Sequence, residues 1–298
     1  MSNIMKLFQG IVTVLLVFLS NNTYSLELKY PTTEEEWEVA FLELNFESNQ
    51  AQYDFKNAHQ SYNLLEGWEI LREDDARKFL FYINGSDTFK DVEAVALSQD
   101  FEYQLIFSYH DIGFVDDSDW ELLDSDTLLE GLIEGTNDAN KERLANNVSP
   151  LHVLGWESRP TYDRDKETAY FAVNLNQDGE VMTNSRALKL GRDGFTSITL
   201  VGPSQGKLES KSVLMVGINN HNYDEGYRYS DYEKGNRIAD IGLGSLLALT
   251  AGSKNGKGVA AGLVATLLFF AKKLWFIIFL PFIFMWNKIK LIFSNKVT

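Results

Sequence analysis

The chain has 298 residues, no cysteine, and 42 acidic against 27 basic side chains. The missing cysteines exclude disulfides, thiolate metal sites and a cysteine nucleophile. A net charge of −15 disfavours nucleic acid as a partner and repels anionic headgroups at close range.

The imbalance is concentrated in the middle of the chain. Lys6 and seven lysines beyond Ala251 lie outside residues 26–251, so there 19 basic residues face all 42 acids. Cationic ligands, metal ions or a basic protein surface are the partners such a domain admits, and nothing in the composition calls for a cofactor. About 210 residues between two apolar ends are enough for one good core.

Residues 1–25 have the three parts of a signal peptide: Lys6, the apolar run Ile11–Leu19, and Thr23-Tyr24-Ser25 before Leu26. The run is short for a membrane crossing. Next, Thr33 and Glu36 have capping-box spacing, which predicts a short helix start over 32–38. Leu42–Phe46 and Tyr53–Phe55 alternate as strands do. Leu71–Ile83 reads as a helix with Ala76, Phe79, Leu80 and Ile83 on one face. Tyr103–Tyr109 alternates and predicts a strand.

Asp111–Asp126 is an acidic loop whose Asp116, Asp117, Asp119, Glu121, Asp124 and Asp126 are hard oxygen ligands of the type Ca²⁺ or Mg²⁺ takes. The spacing is not that of an EF-hand, and a solvated loop capping the helix that follows, from Leu128 to about Asn146, is the simpler account. Beyond Pro150 the pattern predicts an antiparallel meander with strands at 151–156, 168–175, 183–190 and 195–201. Asn176–Gly179 and Gly191–Gly194 are its glycine-bearing turns. Residues 206–217 fit a helix better than a strand, and 238–250 an apolar helix near a membrane surface.

Catalytic signals are sparse. His59, His110, His152 and His221 are scattered, with no zinc-helix pair, and no G-x-S-x-G elbow occurs. Gly252–Gly258 has neither the spacing nor the Ser/Thr of a phosphate loop. Aromatic, arginine and aspartate residues do concentrate in three short runs, around Trp156, Tyr162 and Asp163, around Arg192, and around Tyr227, Arg228 and Asp231. Such mixtures suit binding hot spots and turn packing alike.

At the C-terminus, residues 259–286 read as a transmembrane anchor in two apolar halves interrupted by Lys272-Lys273 and belted by Trp275 and Trp286. One tilted crossing places those lysines near mid-span, where each costs about 2.5–3.5 kcal/mol on an insertion scale. Two half-helices are the other arrangement. Lys288, Lys290 and Lys296 follow, which orients residues 287–298 as a basic cytoplasmic tail.

The order Gly113-Phe114-Val115-x-Asp117, Asn140-x-x-Arg143, Gly155-Trp156…Pro160-x-Tyr162-Asp163, Leu190-Gly191-Arg192-x-Gly194 and Gly226-Tyr227-Arg228-Tyr229-x-Asp231, before a lysine-bounded apolar tail, resembles the bacterial domain-of-unknown-function family 2167, membrane-anchored proteins. The resemblance covers about residues 40 to 293. It implies an inner-membrane protein facing the periplasm and implies no reaction. Phe114 stands where the family pattern has Tyr.

The sequence therefore predicts an α+β fold: a signal peptide (1–25), an acidic extracytoplasmic domain built on antiparallel sheet (26–237), a glycine-rich juxtamembrane segment (238–258), the anchor (259–286) and the tail. The leading functional expectation is a non-enzymatic adapter or accessory subunit, single-pass in the bacterial inner membrane, that binds another membrane or periplasmic protein or self-associates. The alternative is a ligand-binding or hydrolytic domain acting on cell-envelope material through Asp117, Trp156, Tyr162, Asp163, Arg192, Tyr227, Arg228 and Asp231, with no metal and no cofactor. The topology has a direct check. A cysteine replacing Lys166 is expected to react with an impermeant maleimide from the outer face, and one replacing Asn295 only after permeabilisation. Labelling of both from one side would overturn it.

Overall fold

Residues 30–31, 33–55, 58–84, 91–145, 149–204 and 210–250 are described by a computed structural model of the chain. The signal peptide, the glycine-rich stretch 252–258, the anchor and the basic tail lie outside them. Among the described residues no helix is long and apolar enough to cross a membrane.

Runs of β-branched and aromatic residues build a seven-stranded antiparallel sheet in the order β3-β4-β5-β9-β8-β7-β6. Its strands are β3 (Trp68–Arg72), β4 (Val92–Ser98), β5 (Gln104–His110), β6 (His152–Asp163), β7 (Thr168–Gln177), β8 (Glu180–Gly191) and β9 (Gly194–Pro203). A second sheet joins β1 (Gln52–Phe55), β2 (Gln60–Asn63) and β10 (His221–Tyr223), with β2 in the centre. Among the described residues five α-helices accompany the sheets: α1 (Glu34–Leu42), α2 (Glu73–Asn84), α3 (Ser125–Ala145), α4 (Ser210–Asn220) and α5 (Leu243–Thr250). The α+β class built on antiparallel sheet is as the sequence predicts.

Cross-strand partners share a face of a sheet, so the register divides the core. One face carries the row Leu71, Val95, Ile106, Thr199, Arg186, Phe171. Towards β3 it packs against Trp37 and Phe41 of α1 and Phe79 and Leu80 of α2. Towards β6 it meets Leu128 and Leu132 of α3 and Leu243, Leu246 and Leu247 of α5. The other face, with Ile70, Leu105, Phe107, Ile198 and Leu200, is covered by Tyr53, Phe55 and Tyr62 of the second sheet and by Val213, Leu214 and Ile218 of α4.

Several local expectations change for identifiable reasons. The Thr33/Glu36 capping box forms, but its helix runs to Leu42 because Trp37, Ala40 and Phe41 bury one face of it. Leu42–Phe46 is therefore no strand; only Glu47 bridges to Ile70 beyond it. Leu71 belongs to β3, paired with Val95, and α2 begins at Glu73. β4 is buried along its whole length and has no alternation to betray it. The C-terminal helix starts at Leu243, since Ile238 is held in a bridge to Phe114.

Helix α5 is gripped at both ends. Asp119, from the acidic loop, accepts hydrogen bonds from the Gly244 and Ser245 amides at 2.8 and 3.0 Å and from the Ser245 hydroxyl at 2.8 Å. At the other end the Nη1 of Arg186 donates to the Thr250 carbonyl at 2.8 Å. The carboxylate meets the positive pole of the helix dipole and the guanidinium its negative pole. Asp119→Ala is expected to lower stability by about 1–2 kcal/mol, seen as a melting temperature about 3–6 °C lower. Gly244→Ala, which helix propensity alone would favour, is expected to destabilise as well. A Cβ there would lie 2.7 Å from the Asp119 carbonyl oxygen. An unchanged melting curve for Asp119→Ala would rule out the clamp.

Candidate functional site

Four chain segments meet where β5 ends and β8 turns into β9: the acidic loop after His110, the β6–β7 turn, the Arg192-Asp193 turn, and the loop from Tyr223 to Ile238. They are stitched by backbone contacts. Gly191 bridges to Arg228 and Phe114 to Ile238, and the Arg192 amide donates to the Tyr227 carbonyl at 2.9 Å. Gly194 is required by close approach, since a Cβ there would sit 1.9 Å from the His110 carbonyl oxygen.

All the predicted site residues except Trp156 gather at this end. Asp117 accepts from Arg164 Nη1 at 2.6 Å, and the Arg164 guanidinium lies over the Tyr162 ring, 5.1 Å from its centre. Tyr162 also packs against Trp120, with centroids 5.5 Å apart. Burial, and then the Asp117 charge, push the Tyr162 phenol well above its ordinary range. Beside it Phe114 stacks on Tyr229 at 4.5 Å and on Tyr232 at 4.0 Å, and the Tyr229 hydroxyl donates to the Val115 carbonyl at 2.9 Å. Arg192 pairs with Asp193 at 2.6 Å and covers the Tyr227 ring at 4.5 Å. Tyr227 stacks on His59 at 3.8 Å.

Asp231 and Asp163 work on the backbone. Asp231 accepts from the Gly226 and Arg228 amides at 2.9 and 3.0 Å, and Asp163 accepts from the Lys166 amide at 3.2 Å. Arg228 is exposed. Trp156 stands apart on β6, opposite Val173, with its ring edge-on to Phe171 at 5.7 Å. Its place is in the packing beneath α3 and α5.

The acidic loop is equally occupied. Asp116 accepts from the Ser118 amide at 2.9 Å and from its hydroxyl, which holds its carboxyl below the usual range. Asp124 accepts from the Thr127 amide at 2.7 Å and caps α3; Asp126 pairs with Arg159 at 3.0 Å; Glu121 lies 3.6 Å from Arg164. Among the described residues no three His, Asp or Glu side chains are grouped to hold a metal ion.

A second polar group, not foreseen in the sequence, lies buried between the two sheets. The Gln60 Oε1 lies 2.7 Å from both Thr196 Oγ1 and His221 Nε2. The amide oxygen can only accept, so His221 carries its proton on Nε2. Tyr223 Oη is 2.9 Å from Thr196 Oγ1 and donates to the Lys189 carbonyl at 3.0 Å. Lys189 Nζ donates to the Ile218 carbonyl at 3.0 Å and to the His221 carbonyl, at the end of α4. Burial brings its pKa down to about 8. Among the described residues neither Gln60 Nε2 nor His221 Nδ1 has a hydrogen-bond partner. The one available sequence signal was Lys189, a charge between Leu188 and Leu190 in a strand buried on both faces.

The model of the family "Protein of unknown function (DUF2167)" matches residues 47–283, and the chain belongs to that family. No curated protein matches the sequence. Among solved structures, the chain is similar to the solution structure of cyanobacterial PsbP (CyanoP) from Synechocystis sp. PCC 6803, at 10% identity over 58% of this chain and 91% of that one, with a TM-score of 0.35. So distant a likeness sets neither fold nor function.

The inter-sheet group makes stability depend on pH. Burial, and then the Lys189 charge, hold the His221 imidazole well below its ordinary pKa of 6.5, so the folded state resists a proton that the unfolded chain accepts. Stability is therefore complete above about pH 6.5 and falls as the pH drops towards the folded value, by up to about 1.4 kcal/mol per unit. Denaturant unfolding between pH 7.5 and 5.5 is expected to show this slope, and His221→Gln to lose most of it. Equal slopes in the two proteins would exclude His221 as the source.

Proposed function

We propose that this protein is a membrane-anchored envelope protein whose acidic domain faces the periplasm and serves as a non-enzymatic adapter, binding a basic surface of another membrane or periplasmic protein. The observation that carries this reading is the engagement of the charges at the sheet end. The carboxylates of Asp117, Asp163 and Asp231 and the guanidiniums of Arg164 and Arg192 are tied to one another, to neighbours or to backbone amides. A general base or a nucleophile needs a partner group poised for proton transfer. Groups fixed in caps and ion pairs instead hold the loops of this end rigid, a frame that keeps a binding surface elsewhere on the domain in shape.

Two sequence features support the same reading. Lysines near the middle of a membrane segment are stabilised by a partner helix, and a domain with 42 acids attracts basic surfaces. Cross-linking in intact membranes, followed by capture through a C-terminal tag and mass spectrometry, tests it. One near-stoichiometric partner is expected. Recovery of the chain alone, as a monomer, would overturn the reading.

A further inference from the structure

The paired charges gather where β5 ends, at His110. Where β5 begins, the situation is reversed. A groove of about 810 Å³ opens there between the two sheets, walled by residues 48–51 on one side and 64–69 on the other, with Gln99 and Phe101 at its end. Trp68 and Phe101 are almost wholly buried and form its apolar floor. Gly67, at a φ of +76°, makes the tight turn in the second wall.

Four of its polar side chains are unengaged. The side chains of Gln50, Glu66, Glu69 and Gln99 make no hydrogen bond or ion pair among the described residues. Gln50, Glu66 and Gln99 are exposed. Asn49 is held in place by the Tyr53 hydroxyl, 3.2 Å from its Oδ1. Among the described residues no lysine, arginine or histidine lines the groove. Two unpaired carboxylates therefore set its charge, in contrast to the internally bonded carboxylates at the other end of the sheet.

We propose that this groove is where the adapter grips its partner, and that the occupant is an extended, lysine- or arginine-bearing segment of that partner; the inference rests on the adapter reading above. The chemistry is complementary at each level. The carboxylates of Glu66 and Glu69 receive cationic heads, and the apolar floor accepts the methylene stems that such side chains lay along a surface. The amides of Asn49, Gln50 and Gln99 can bond to the peptide groups of an extended chain, which carries its own unpaired donors and acceptors. An anionic ligand meets only repulsion here.

The test uses the full-length chain in its membrane, as wild type and as Glu66→Lys/Glu69→Lys, with Glu66→Gln/Glu69→Gln as the variant that removes charge without reversing it. Both variants should melt like the wild type, since neither carboxylate has a partner among the described residues. Capture of the partner is expected to fall roughly tenfold in the Gln pair and further in the Lys pair. Equal capture by all three would refute the groove and leave the adapter reading standing. Should the wild type capture nothing, the adapter reading falls. The groove is then read by calorimetric titration of the purified chain with a hexapeptide of alternating lysine and alanine against the same peptide acetylated on its lysines. Binding of the cationic peptide alone, lost in the Lys pair, would support the groove, and no binding of either would refute it.

Discussion

The contact on which the far side of the molecule depends is the run of buried polar groups joining the two sheets. β10 is only three residues long, too short for its ladder to β2 to fix its position alone. Gln60, Thr196, Tyr223 and Lys189 add directional bonds that hold it against β8 and β9. Shape reinforces them, since the Tyr223 ring closes so tightly on Gly191 that a Cβ there would approach it to 2.7 Å. A slip of one residue would leave these buried groups without partners, at about 1–3 kcal/mol for each. Because β10 leads directly into the loop with Tyr227, Arg228 and Asp231, this internal register also sets where the aromatic and charged surface stands.

The helix-covered face meets the same constraint with charge. Arg186 is fully buried in the middle of the sheet, where desolvation brings its pKa down to about 10, and it bonds to the last carbonyl of α5. Asp119 reaches the opposite end of that helix from a loop 125 residues away in sequence. An eight-residue helix is marginal by itself. Terminal charges of the right sign, with Leu243, Leu246 and Leu247 buried beneath, make it an integral part of the domain.

How far all this could be read beforehand follows from the range of the interactions. The capping box at Thr33, the β6–β9 meander and its glycine turns depend on neighbours in sequence, and period and turn chemistry located them. β4 shows no period because both its faces are buried, and the end of β3 reads as helix because Leu71 also fits the helical stripe of α2. The gathering of Asp117, Tyr162, Arg192 and Tyr227 was legible only as an order of motifs; it follows from their turns lying at one end of the same sheet. Trp156 carries the same kind of motif but sits partway along β6, where an indole packs beneath helices. The Gln60–His221 contact spans 161 residues, and no local pattern encodes a contact of that length.

The contrast between the two ends of β5 bears most directly on what the domain does. Side chains that complete caps, stacks and ion pairs inside the fold have already made the contacts that favour them, and displacing them for a partner would first break those contacts. Glu66 and Glu69 give up only water. Desolvating an unpaired carboxylate is costly unless a cation arrives with it, so such a groove discriminates by charge before it discriminates by shape. The aromatic cluster with the richest motif content is therefore better suited to holding loops in place, and the plainer groove, which offered no motif, to meeting another molecule.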